Sequence, residues 1–155
     1  MDPKTNLSIL LICLMFIACT ESRDIVFKYC SKGPQGNIKT VNITPCNDQP
    51  ACKFTHGINV TVEVEFTSPD DSVTLEAEIY GIIAGIPVKF NMPNPNGCAK
   101  SGITCPVKKS MTYTYKSLFF VLKSYPNLQL VVQWDLKSAN DDYLFCFTFP
   151  MLIVS

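Results

Sequence analysis

Ile58-Asn59-Val60-Thr61-Val62-Glu63-Val64-Glu65-Phe66 alternates apolar and polar residues without a break. Successive side chains of a strand point to opposite faces, so this run predicts a β-strand with one buried and one wet face. Ser68-Pro69-Asp70-Asp71-Ser72 follows as a turn, and Val73, Leu75, Ala77 and Ile79 alternate with Thr74, Glu76 and Glu78. The second run is expected to pair with the first as a hairpin. Glu63, Glu65, Glu76 and Glu78 fall on wet faces, where lysines of neighbouring strands can pair with them.

The same period recurs along the chain. Ile86, Val88, Phe90 and Met92 predict a further apolar face, with nearby prolines favouring an edge strand. Met111, Tyr113 and Tyr115 predict another strand, as do Leu128, Leu130, Val132, Trp134 and Leu136, interrupted only by Val131. Tyr143, Phe145, Phe147 and Phe149 close the series, and Val41 and Ile43 mark a short early strand. Pro93-Asn94-Pro95-Asn96-Gly97 can only be loop. Seven or eight short strands with no helical period predict an all-β sandwich or small barrel.

Composition fits one globular domain. Of 155 residues, 47% are hydrophobic and 17% charged, too apolar for disorder. Thirteen basic and thirteen acidic residues give no net charge, which excludes the basic excess of a nucleic-acid binder. Lys4, the apolar run from Leu7 to Ala18 and the small residues Ala18, Cys19 and Thr20 have the order of a secretory signal. The run is shorter than the roughly 20 residues that cross a bilayer. Residues 1–20 are therefore expected to leave a mature domain of residues 21–155, secreted to the extracellular space or delivered to the lysosome.

Cys30, Cys46, Cys52, Cys98, Cys105 and Cys146 remain in that domain, an even number in an oxidising compartment. Six cysteines allow fifteen pairings. Local spacing favours Cys46 with Cys52 and Cys98 with Cys105, which leaves Cys30 for Cys146. With one histidine and no C-x-x-C, the sequence carries no zinc signature. His56 precedes Gly57 and reads as a surface turn residue; no serine elbow or phosphate loop accompanies it. No catalytic constellation and no cofactor or metal site is predicted. Asn59-Val60-Thr61 and Asn42-Ile43-Thr44 are N-glycosylation sequons, the second followed at once by Pro45.

GIIAGIPVKFNMPNPNGC (81–98), KSGITCPV (100–107), TYTY (112–115), YPNLQLVVQWDL (125–136) and LFCFTFP (144–150) resemble the ML lipid-recognition domain family, in particular its soluble Niemann–Pick type C branch. The likeness spans the whole mature chain. It implies an Ig-like β-sandwich with the three disulfides above and a hydrophobic tunnel between the sheets for one sterol or fatty acid. Carried over residue by residue, it implies a portal of Phe90, Val121 and Tyr125, with Pro126 and Trp134 beside and beyond it. Val60, Val62 and Val64 would line the tunnel wall, the face that alternation already assigns as buried. Phe147 stands where the family has a second tunnel tryptophan, and Glu63 where a glycan asparagine can occur. Ile82, Ile83 and Ala84 occupy the place of an exposed apolar knob, suited to docking on a membrane-bound sterol acceptor. The resemblance thus implies a monomeric lipid carrier. A module that presents lipid to an immune or signalling receptor is the alternative within the same family.

Overall fold

The computed structural model describes residues 25–46 and 50–155. The expected leader, residues 1–20, lies outside the described residues. Nine strands and no helix are present among them: β1 (Lys28–Tyr29), β2 (Asn37–Thr44), β3 (Cys52–Thr55), β4 (Asn59–Thr67), β5 (Leu75–Ile83), β6 (Ile86–Phe90), β7 (Thr112–Phe120), β8 (Leu128–Ser138) and β9 (Tyr143–Val154). The larger sheet runs β1-β9-β8-β5-β6, with β3 joining β9 in parallel; the smaller runs β2-β4-β7. The sheets stack as an Ig-like sandwich. Val60, Val62, Val64 and Phe66 are all 2% exposed or less, the inward face that alternation predicts. Each such burial is worth about 1.5–3 kcal/mol. Aromatic rings interlock across the layer: Phe66 and Tyr115 of the small sheet meet Phe145 of the large one edge-on, at centroid distances of 5.0 and 5.7 Å.

Three expectations need correction. The runs at 58–66 and 73–79 do not form a hairpin: β4 pairs with β2 and β7, and β5 with β6 and β8. Residues 68–72 instead bond to the segment before β7. Ser68 and Ser72 donate to the carbonyls of Met111 and Val107, and accept from Ser110 and Val107. The connection thereby crosses from one sheet to the other. Val73, expected to face inward, lies on that crossing and is 70% exposed. Strand β6 does take the edge that its prolines favour, but an edge strand at the rim has little to cover its faces. Ile86 and Val88 are exposed, and burial begins only at half-buried Phe90 and buried Met92.

The three disulfides are Cys30–Cys146, Cys46–Cys52 and Cys98–Cys105. The wet-face glutamates do pair with lysines: Glu63 with Lys116 at 2.8 Å and Glu65 with Lys39 at 3.5 Å. Asp70 and Asp71, read as turn residues, face Lys109 and Lys108 at 3.4 and 3.0 Å.

The outer face of the large sheet holds a denser cluster. Glu78 accepts from Lys137 at 2.6 Å, from Lys89 and from the Tyr80 hydroxyl. Burial works to raise the Glu78 carboxyl, but the lysine hydrogen bonds outweigh it and bring its pKa from 4.5 down to about 2. Asp135 sits opposite Glu78 and is fully buried, and burial raises its pKa against bonds from Gln133 and the charges of Lys32 and Lys137. The two carboxylates therefore act with opposite sign. The stabilisation from Glu78 is complete above about pH 4.5 and is lost as pH falls toward 2. Asp135 binds its proton more readily when folded, so acid favours its folded form. Glu78→Gln is expected to cost about 2–3 kcal/mol at pH 7. Urea midpoints should show that deficit shrinking below pH 4.5; a deficit constant with pH would mean that packing, not charge, is lost.

Candidate functional site

Between the sheets lies a small apolar cavity of about 10 Å³. The small sheet contributes Val60 and Val62 from β4 and Phe119 from β7; the large sheet contributes Ile79, Phe90, Val132, Trp134, Phe149, Met151 and Phe54. Every lining residue is apolar or aromatic. A second apolar hollow of about 60 Å³ opens beside it, walled by Ile83, Phe90, Tyr125, Pro126, Leu128, Leu130 and Ile153. Phe90 is the partition between them. A wider open groove of about 480 Å³ runs along the other end of β5 and β8, past Glu76, Asn96, Ser138 and Asp141, and is largely polar.

Strand β6 is the last strand of the large sheet, and β7 the last of the small one. Their rims are closed by three rings: Phe90 lies 5.5 Å from Tyr125 and 6.3 Å from Phe119, and Phe119 stacks on Tyr125 at 6.4 Å. Rings at these separations and tilts attract one another beyond the area they bury. Burial raises the Tyr125 phenol above its usual pKa. His56 is not a free turn residue: half-buried, its Nε2–H donates to the Tyr125 carbonyl at 2.8 Å and pins the segment that carries the ring.

Of the residues that the sequence singles out, the structure brings Phe90, Trp134, Val60 and Val62 to the inner cavity, and Tyr125 and Pro126 to the outer hollow. Val121, Val64 and Phe147 are fully buried but line neither space. Val121 is held by its backbone, donating to Ile58 at 3.0 Å and accepting from Gly57 at 2.7 Å. Phe147 lies on the same face of β9 as Phe149, stacked on it at 6.1 Å, and packs against Phe27 at 5.9 Å. Ile83 and Ala84 form the exposed turn between β5 and β6, with Ile82 half-buried behind them. Asn59 is exposed and Asn42 half-buried. Cys30, Cys146 and Asp135 cluster closely, but the two sulfurs are bonded to each other and offer no thiolate. The indole N–H of Trp134 is buried beside the Tyr115 hydroxyl.

Sequence reasoning misses Phe54, Met151 and Phe119 of the lining, and Gly81 behind it. Phe119-Phe120 breaks alternation, so neither ring is marked as inward. Gly81 interrupts the apolar face of β5, a position where a strand glycine signals close approach. A Cβ there would lie 2.6 Å from the Phe90 ring and 2.8 Å from Leu130 Cδ1. Gly81→Ala is therefore expected to displace Phe90 and to change lipid affinity severalfold while the fold persists. A titration matching the parent protein would show that Phe90 does not govern access.

The ML domain family model matches residues 24–153. NPC intracellular cholesterol transporter 2 of Sus scrofa is 40% identical over 142 residues, covering 92% of this chain and 93% of its own length. A crystal structure of a Niemann-Pick type C2 protein from Japanese carpenter ant superposes with a TM-score of 0.78 at 30% identity, covering 84% of this chain and all of that one. Chicken MD-1 complexed with lipid IVa shares the fold, with a TM-score of 0.54 at 16% identity over 80% of this chain and 85% of that one.

Proposed function

Because this chain belongs to the ML domain family, we propose that it is a carrier of one sterol or fatty acid, held between the sheets and released chemically unchanged. The observation that supports this most is the pairing of an all-apolar interior with a rim of three rings, two on facing sheet edges and Tyr125 on the loop that joins β7 to β8. Among the described residues no titratable side chain faces the inner cavity, so these walls offer neither a general base nor a nucleophile.

A cavity of about 10 Å³ has room for about one water molecule. Sites for ligands of this class run to about 300 Å³ or more. The sheets must therefore part to take up a lipid. Burying roughly 400 Å² of apolar ligand surface contributes about 10 kcal/mol gross. Association and the opening of the sandwich offset several kcal/mol of that, which leaves micromolar or tighter binding within reach. We assign Phe90, Tyr125 and Pro126 to the door and Val60, Val62 and Trp134 to the wall. Val64, Phe147 and Val121 support these from behind. Residues 1–20 act as the secretory leader, the mature domain travels as a monomer, and the turn at Ile82, Ile83 and Ala84 docks on a membrane-bound sterol acceptor.

Fluorescent sterol and fluorescent fatty acid are titrated separately into purified protein, and lipid that co-purifies is identified by mass spectrometry. Saturable one-to-one binding of either, with the lipid recovered at unaltered mass, is expected. Absence of binding to both at tens of micromolar, or recovery of a chemically modified lipid, overturns the reading.

A further inference from the structure

The outer face of the small sheet carries an apolar strip that the lipid site does not use. Leu118 and Phe120 of β7 are 56% and 39% exposed. Directly opposite on β4 stand Thr61, in register with Leu118, and Asn59, in register with Phe120. These are the two recognition residues of the sequon Asn59-Val60-Thr61, and both share the outward face while Val60 is buried. The backbone sharpens the pairing. Gly57, with φ of 80°, and Ile58 together oppose Val121 in a bulge that needs a glycine at its first position. The next pair, Asn59 and Phe120, is then a non-hydrogen-bonded one, where opposed Cα atoms lie about 4.5 Å apart and side chains approach closest.

We propose that Asn59 is an N-glycosylation site whose first N-acetylglucosamine lies over the Phe120 ring, with Leu118 at its flank. A pyranose presents a face of C–H bonds that carry slight positive charge, and an aromatic ring presents a negative face. The sugar covers apolar surface on an edge strand, the kind of rim that otherwise invites association. The other sequon lacks this platform: Asn42 is half-buried and stands in register with Glu63. The inference rests on the secretory reading, since such glycans are added in that pathway.

The full chain carrying Asn42→Gln is expressed in insect cells, in parallel with the same chain whose residues 1–20 are exchanged for a leader of known competence. Secreted protein is mapped by enzymatic deglycosylation in heavy-oxygen water, and its Tm is measured before and after. The Asn59 peptide is expected to be occupied, and deglycosylation to lower Tm by about 2–4 °C, as a modest loss does in a domain of this size. Phe120→Ser should cut that shift by more than half, and Phe120→Tyr, which keeps the ring, should retain it. An unmodified Asn59 in protein secreted behind the substitute leader overturns the proposal, as does a Tm shift indifferent to Phe120→Ser. Failure of the native leader alone to export the chain counts against the secretory reading and leaves the substitute-leader result to decide the site.

Discussion

Replacing Cys30 and Cys146 together with alanine is expected to remove about 5 kcal/mol of stability, through the loop that the bond closes in the unfolded chain. The two residues are 116 apart in sequence. Domains have only about 5–15 kcal/mol to lose, so the variant should populate unfolded molecules at 25 °C in dilute urea. The bond also fastens residues 30–36 over buried Asp135, but hydrogen bonds share that task. The Cys30 N–H donates to the Cys146 carbonyl at 3.1 Å, the Cys146 N–H donates to Gln35 Oε1 at 2.7 Å, and the Gly36 N–H donates to the Leu144 carbonyl at 2.9 Å. The other two bonds close loops of only 6 and 7 residues' separation and restrict the unfolded chain less. Denaturant midpoints of the three double variants, each without one pair, check the ranking. A deficit below about 2 kcal/mol for the long bond would mean that the hydrogen bonds alone hold the cover in place.

Two rings of the same rim should respond differently to truncation. Phe119 is 7% exposed and faces the inner cavity, so Phe119→Ala is expected to cost about 3–5 kcal/mol, as buried aromatic truncations do. Tyr125 is half-buried at the rim, and Tyr125→Ala should change stability by less than about 1 kcal/mol. Its effect should appear in kinetics: with the outer ring gone, bound lipid is expected to leave about tenfold faster, the equivalent of about 1.4 kcal/mol of lost cover. Stopped-flow release of a fluorescent lipid, together with urea midpoints on both variants, separates the two roles. If Tyr125→Ala destabilises the fold as strongly as Phe119→Ala while release is unchanged, Tyr125 is core and not door.

Alternation made β4 legible because one of its faces is fully covered and the other carries Asn59, Thr61, Glu63 and Glu65, while β8 and β9 keep an alternating large apolar face even though their middles are covered on both sides. It reports burial and is silent on which ladder a strand joins, and so β5 was expected beside β4 when it lies across the sandwich. It fails again where a strand has no covered face, as at Ile86 and Val88, and where two rings are adjacent, as at Phe119-Phe120. β1 and β3 are too short, at two and four residues, to show a period at all. The site divides in the same way. Phe90, Tyr125, Pro126, Trp134, Val60 and Val62 come from the motifs of the resemblance and reach the two apolar spaces. Gly81 and His56 act through distances that only the folded chain reveals: a ring 2.6 Å from an absent Cβ, and a carbonyl 2.8 Å from Nε2.

The position of Cys46–Cys52 has a mechanical consequence. Cys46 follows β2, the outer strand of the small sheet, and Cys52 begins β3, at the outer side of β9 in the large one. This covalent tie therefore clamps the rim of the sandwich opposite β6 and β7. Ile25 adds a backbone bond to Val41 of β2 at 3.1 Å on the same side. Strands lie about 4.8 Å apart, so β7 stands roughly 10 Å from β2 on the lever arm. A swing of about 15° around the clamped rim lifts β7 by roughly 2–3 Å, the scale of half a strand spacing. Every ladder within each sheet rides along unbroken. The fold is a clamshell whose spine is stapled and whose lips are aromatic, and the gape available to a lipid grows in proportion to distance from the staple.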